Sequence, residues 1–235
     1  MIWHYSEVMV KRSSILALIL LMPAPSLGVW VGMIVWPDLL LGKVLFFLAK
    51  VWLLALPLFW LLRVEKKGMS WSKPHQGGFG VALALGLAIA GFIVVAYIML
   101  GTLLIDSKAI QAMGVNTGLG QRSTYIAGAV YWVTINSVLE EYVWRWFVVE
   151  KLEDIFPSKV AIVASALGFT FHHIVAMQIF LSPFVVVLAA AGIFIGGAVW
   201  SWCYIRYRSI WPCYVSHAIV DVAVFAVGYH LLFLA

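Results

Sequence analysis

Charge is what this sequence has least of. Only 11% of its 235 residues are Asp, Glu, Lys or Arg, less than half the share in a soluble domain, while 64% are hydrophobic. That shortage excludes a water-solvated globular surface. The formal charge is +5, but the basic residues lie mainly between apolar runs. A nucleic-acid surface would need them as a stripe on a polar face, so nucleic-acid binding is excluded too. Cysteine is equally scarce. Cys203 and Cys213 form no CxxC or zinc pattern and read as packing residues. No H-E-x-x-H stretch is present, which removes the common zinc-protease helix. No internal repeat and no paired broken helices are visible, which speaks against a repeat-built transporter.

Apolar runs, by contrast, are long and many. Crossing hydrocarbon takes roughly 20 apolar residues, and seven stretches qualify, at about 15–36, 39–62, 79–104, 124–149, 159–180, 184–205 and 210–234. The linkers are short. The expected fold is all-α, a multi-pass membrane helical bundle of about seven transmembrane helices in a single integral membrane domain. Residues 1–123 supply about three spans and a connecting loop, and residues 124–235 supply the rest.

The first span has a competing reading. Lys11 and Arg12 precede "ILALILLM" and "PAPSLG" follows, a pattern shared with secretory signal peptides. The apolar run continues to Trp36, so a retained helix kinked near Pro23 and Pro25 is expected. Loop charges set the orientation. With the N-terminus in the cytoplasm, that side holds Lys11, Arg12, Arg63, Lys66, Lys67, Lys73, Lys151, Lys159, Arg206 and Arg208; the other holds Lys108 and Arg122. Lys43 and Lys50 lie inside the second span, either snorkelling or facing the bundle interior. The Gly-containing segment Ile105 to Ser123 is read as a plain loop, with a lid or interfacial turn as the alternative.

Against this background a few polar residues stand out. A charge at mid-bilayer costs roughly 2.5–3.5 kcal/mol on insertion scales, so such residues are paired or functional. Glu140, Glu141 and Arg145 fall in the fourth span, His172 and His173 in the fifth, His217 and Asp221 in the seventh. At about 1.5 Å rise per residue, Glu140, His173, His217 and Asp221 lie roughly 13, 21, 10 and 16 Å from the cytoplasmic ends of their helices, one overlapping layer. Glycines at 192, 196 and 197 in the sixth span allow close helix approach.

Helical spacing then separates the two glutamates. Glu141 and Arg145 are four apart and share a face, so they can pair; Glu140 points about 100° away and is free for a cavity. The same spacing links His217 to Asp221 and Phe169 to His173. Of the adjacent histidines, His173 is expected to face the site and His172 to be satisfied elsewhere or turned outward. His4, His75 and His230 lie near ends or loops and receive no role.

Three motifs therefore occur in order on three apolar helices: Glu-Glu-x-x-x-Arg at Glu140–Arg145, Phe-x-x-x-His at Phe169–His173, and His-x-x-x-Asp at His217–Asp221. Over about residues 124–225 this resembles the CPBP intramembrane proteases, the family of CAAX prenyl endopeptidases and bacteriocin-processing or immunity proteins. The resemblance implies a catalytic core at 124–235 and glutamate-dependent peptide hydrolysis with no metal or other cofactor required. Carried over, Glu140 would be the base that activates water, and His173 would position that water. His217 and Asp221 would stabilise the oxyanion, with Glu141, Arg145 and Phe169 in support.

Many relatives carry Asn at the position of Asp221. An ionised Asp cannot donate a hydrogen bond, so Asp221 is either protonated or accepts from His217 and orients that ring; the second is the reading adopted. The implied partners are the lipid bilayer and a membrane-associated protein or peptide: a C-terminal tail, a leader or a sorting segment. The implied location is the bacterial inner membrane, with the site opening to the cytoplasm. Two other classes stay open. Glu140, His173 and His217 are acceptable zinc ligands in kind, which would give a zinc-dependent hydrolase. Buried carboxylates and histidines also suit a non-enzymatic proton relay, transporter or immunity-type binding protein.

Overall fold

A computed structural model describes residues 2–68, 72 and 76–235; Lys73 and His75 lie outside the described residues. The described residues fold mainly into helices, with no strand among them. Among the described residues, six helical runs are long and apolar enough to cross a membrane: Met9–Val35, Leu40–Val64, Phe79–Leu104, Ser158–Met177, Pro183–Tyr207 and Ile210–Phe233. The chain is a multi-pass helical bundle.

The first run is two helices, α1 (Ile2–Leu21) and α2 (Pro23–Val29), broken at Met22 where Pro23 begins the second. α2 widens into π turns over Trp30–Val35. α3 (Leu40–Phe59) contains Pro57, which cannot donate to the carbonyl one turn back, and it too continues in wider π turns over Trp60–Val64. α4 (Phe79–Leu104) turns much of its apolar surface outward: Phe92, Ile98 and Leu103 are 72%, 72% and 78% exposed. Such a face belongs in lipid.

Two expectations change here. The segment after α4 is not a plain loop. Asp106 caps it by accepting from the amides of Lys108 and Ala109, and α5 (Ser107–Asn116) forms. Gln111 docks α5 onto the far end of the last helix through the carbonyls of Leu231 and Ala235. Secondly, the fourth expected span is not a uniform α-helix. From Arg122 to Glu153 the chain is helical throughout, but α6 (Arg122–Tyr131), α7 (Ser137–Glu141) and α8 (Glu150–Glu153) are separated by π turns over Trp132–Asn136 and Tyr142–Val149. Asn136, Glu140, Glu141 and Arg145 dilute its apolar character, so it is not among the six long apolar runs.

This α6–α8 rod is the centre of the bundle. Val143, Trp144, Phe147, Val148 and Val149 are all buried and pack with Leu21 of α1 and Leu56 and Trp60 of the α3 run. The remaining spans, α9 (Ser158–Met177), α10 (Pro183–Tyr207) and α11 (Ile210–Phe233), wrap its other side. Small residues set the close approaches. A Cβ on Gly197 of α10 would lie 3.2 Å from the Phe169 ring of α9, and one on Gly86 of α4 would lie 3.0 Å from Ser216 Cα of α11. Cys203 and Cys213 are free and buried at the α10–α11 contact.

At one end of the bundle the helix termini gather a charged rim. Lys151 pairs with Glu65 and with Asp154 at 3.2 Å, Lys67 with Glu65 at 2.9 Å, and Ser14 donates to Asp154 at 2.6 Å. Arg208 grips Glu153 with both guanidinium nitrogens, at 2.6 and 3.2 Å. Burial works to raise the carboxyl pKa of Glu65, but the hydrogen bonds and charges of Lys151 and Lys67 override it and hold the group below the ordinary glutamate range.

Candidate active site

The rod is held in its irregular form where the polar residues sit. The amide of Ser137 reaches back five residues to the carbonyl of Trp132, closing a π turn. The Ser137 hydroxyl also lies 2.8 Å from that carbonyl and 2.7 Å from Asp221 Oδ2, so its single proton has two acceptors. α7 follows with only five residues, and both glutamates close it. π turns inside α-helices occur frequently at functional sites, because they re-aim side chains relative to a regular helix.

The two carboxylates have different surroundings. Glu141 and Arg145 are both 0% exposed, and Arg145 Nε lies 3.3 Å from Glu141 Oε2. The guanidinium sits over the rings of Phe169, at 4.6 Å, and Trp200, at 5.5 Å. Aromatic faces thus supply part of what water would supply at a surface. The other oxygen of Glu141 lies 2.8 Å from His217 Nδ1. Glu140 has a 16% exposed side chain and accepts from Asn136 Nδ2 at 2.9 Å. Around its carboxylate stand His217 Nε2 at 3.7 Å and His172 Nε2 at 4.0 Å.

The structure places the sequence-selected residues in one cluster from three elements: Glu140, Glu141 and Arg145 on the rod, Phe169 and His173 on α9, His217 and Asp221 on α11. Phe169 is the packing hub. Its ring meets His172 and His217 edge-on at 5.5 and 6.0 Å and lies 4.4 Å from His173. His217 stacks on Trp200 at 4.0 Å, and Trp200 donates to Ser216 Oγ at 3.0 Å. His173 Nδ1 is tied to the carbonyl of Phe169 at 2.8 Å, which makes Nδ1 the N–H and leaves the lone pair on Nε2.

Three details differ from the sequence reading. His172 is not turned away. It stacks on Trp144 at 5.5 Å and 7°, its ring is 4.0 Å from that of His173, and its Nε2 faces Glu140. Adjacent helix positions diverge, but two imidazoles can still reach a carboxylate that enters between them from another helix. Next, the ring of His217 is oriented at Nδ1 by Glu141, not by Asp221, whose Oδ1 stands 3.6 Å from Nε2 and whose Oδ2 faces Ser137. Finally, the donors placed for a metal are Glu140, His172 and His173, all within 4.8 Å of one another. His217 does not join that set.

Asn136 and Ser137 were missed. Their signal was readable, since each lies four residues before a glutamate and so shares its face. The stacking of Trp144 and Trp200 had no comparable signal, because contacts between helices leave no spacing in one sequence.

Beside the cluster, between the rod and α11, lies an apolar groove of about 340 Å³. Its lining includes Val133, Thr134, Val222 and Phe225, which flank Asn136 and Asp221 along the two helices. Comparison with curated proteins and with solved structures gives no match. A family model does match, over residues 122–223, and its description is Rce1-like, type II CAAX prenyl endopeptidase. The matched segment, which carries Glu140, His173, His217 and Asp221, belongs to the CPBP/CAAX protease family.

Proposed function

We propose that this chain is an intramembrane endopeptidase in which Glu140 activates water to hydrolyse a peptide bond of a membrane-associated protein or peptide. The observation that carries this reading is the unequal fate of the two glutamates. Glu141 is sealed between Arg145 and His217, whereas Glu140 keeps access and faces imidazoles.

A water held between Glu140 and Nε2 of His173 has two acceptors for its protons, the carboxylate and the lone pair. Attack on the carbonyl carbon places negative charge on its oxygen. His217 donates a hydrogen bond from its Nδ1–H to Glu141, so it must also carry a proton on Nε2 to bind that oxyanion; the neighbouring carboxylates supply the countercharge. One such donor contributes about 3–4 kcal/mol to the transition state. Glu140 then passes its proton to the leaving amine. Asp221 helps hold the far side of the site through Ser137. The apolar groove against the cluster suits a substrate that is itself lipid-embedded. The charged rim is taken as cytoplasmic, following the excess of Lys and Arg at that end, and the host membrane as a bacterial inner membrane.

One observation favours a second reading. Glu140, His172 and His173 converge closely enough to ligate a zinc ion, and the Nδ1 bond of His173 to Phe169 is the kind of outer contact that orients a ligand. Reconstituted protein offered a panel of lipidated tail, leader and sorting-segment peptides tests both readings. Cleavage that survives chelation and disappears in Glu140→Ala and His173→Ala, with both variants still inserted, supports the glutamate mechanism. Stoichiometric zinc in the purified protein, with activity lost on chelation and restored by zinc, supports the other.

A further inference from the structure

Lys50 is an intramembrane charge that this mechanism leaves unused. It lies in the middle of α3, is exposed, and has no carboxylate within ion-pair distance among the described residues; its Nζ stands 5.7 Å from the centre of the Phe46 ring. The other cation at this depth, Arg145, is neutralised by Glu141.

Its position relative to the site follows from two contacts. Lys151 at the end of the rod pairs with Glu65 just past the α3 run, so the two elements run parallel toward the charged rim. Further from the rim, the Tyr142 hydroxyl donates to the carbonyl of Leu54 at 3.3 Å. One turn beyond Leu54, on the same face of α3, is Lys50; two residues beyond Tyr142 on the rod, about 3 Å further along the axis and on another face, is Glu140. Lys50 therefore stands at about the level of the proposed base along the bundle.

Resting on the endopeptidase reading, we propose that the Lys50 ammonium binds a carboxylate of the substrate chain and so positions the scissile bond at Glu140. The site holds three carboxylates, those of Glu140, Glu141 and Asp221, against the single guanidinium of Arg145. A substrate carrying a further carboxylate, such as a free C-terminus close to the cleaved bond, would be repelled without a cation at the approach. An ammonium on a flexible stem, unpaired beside the cluster, supplies that cation. The same chemistry admits two sources, the C-terminal α-carboxylate or an Asp or Glu side chain near the cleaved bond.

The test uses full-length Glu140→Gln protein in detergent micelles, which does not consume the probe, and a short fluorescent acylated peptide in three forms. One ends in a free carboxylate, one in a carboxamide, and one in a carboxamide with a glutamate near the end. A charge-assisted contact is expected to make the first form bind about tenfold more tightly than the second. Adding Lys50→Met should erase that preference, and Lys50→Arg should keep it. Restored tight binding by the third form assigns the contact to a side-chain carboxylate and supports the proposal equally. In protein with Glu140 intact, Lys50→Met should lower kcat/KM for the free acid about tenfold and leave that for the carboxamide near its original value. Equal binding of all three forms, or a preference that survives Lys50→Met, overturns it. Turnover of peptide by Glu140→Gln would instead sink the general-base reading and leave the binding comparison readable.

Discussion

The molecule has two polar clusters, and they are built on opposite principles. At the rim, Glu65, Lys151, Asp154, Glu153 and Arg208 pair carboxylate with ammonium or guanidinium at helix ends, where water can share the load. In the interior, Glu141, Arg145, His217, Glu140 and Asp221 sit among Phe169, Trp144 and Trp200. Imidazoles and ring faces do there what water does at the rim. The rim joins helices, because Glu65 comes from beyond α3, Lys151 from the rod and Ser14 from α1. The interior cluster also joins helices, yet it leaves Glu140 incompletely paired. Charge that is fully paired reads as structural, whereas charge left accessible in an apolar setting is available for chemistry.

The contrast can be broken most forcefully at Arg145. Removing one partner of a sealed ion pair leaves an unpaired buried charge, so Arg145→Met is expected to destabilise the protein by about 3–5 kcal/mol, read from thermal unfolding in detergent. Combining it with Glu141→Gln should recover part of that loss, because both charges are then gone. A double variant less stable than Arg145→Met would contradict the pairing.

A smaller effect is expected at Asp221. Asp221→Asn keeps an acceptor for the Ser137 hydroxyl and adds an N–H donor toward the site. The fold should be retained and the pH dependence of kcat altered; an unchanged pH profile would remove Asp221 from the reacting region.

The smallest effects are expected at the rim. Lys151→Met should cost on the order of 1 kcal/mol and leave kcat intact: Lys151 is buried, but the carboxylates it leaves behind keep access to water and Glu65 keeps Lys67. The sign of its pH dependence is fixed. Glu65 has its folded pKa held below its unfolded value, so its contribution is present above the ordinary glutamate range. That contribution fades as pH falls through the lowered folded value. Protection of the amides at residues 61–66, taken relative to the intrinsic exchange rate at each pH, should therefore fall at acid pH in the parent protein and show little further change in Lys151→Met.

Much of this was legible in the sequence for a physical reason. A bilayer demands long apolar runs, and any polar residue inside one is conspicuous. Hence Glu140, Glu141, Arg145, His173, His217 and Asp221 could be selected, and the Glu141–Arg145 pair followed from i, i+4 spacing alone. The rest depends on contacts across helices. Nothing in the spacing of α11 says that His217 hydrogen-bonds to Glu141 rather than facing Asp221. Nor could it show that His172 shares the cluster with its neighbour, because the carboxylate between them comes from another helix. The π turns flanking α7 were hidden as well, since Ser137 and Trp132 look unremarkable in a helical run. The helix α5 was hidden less deeply: Asp106 followed by "SKAIQAM" is a readable capped start, outweighed in the reading by the glycines that follow.

The central claim is that neighbouring glutamates have separate tasks, and it is tested most directly by Glu140→Gln and Glu141→Gln measured side by side in reconstituted protein for turnover and thermal midpoint. The account expects Glu140→Gln to unfold close to the parent midpoint and to lose turnover by about 10²–10⁴-fold, while Glu141→Gln unfolds at lower temperature because Arg145 is left uncompensated. Parent-like turnover by Glu140→Gln would contradict it.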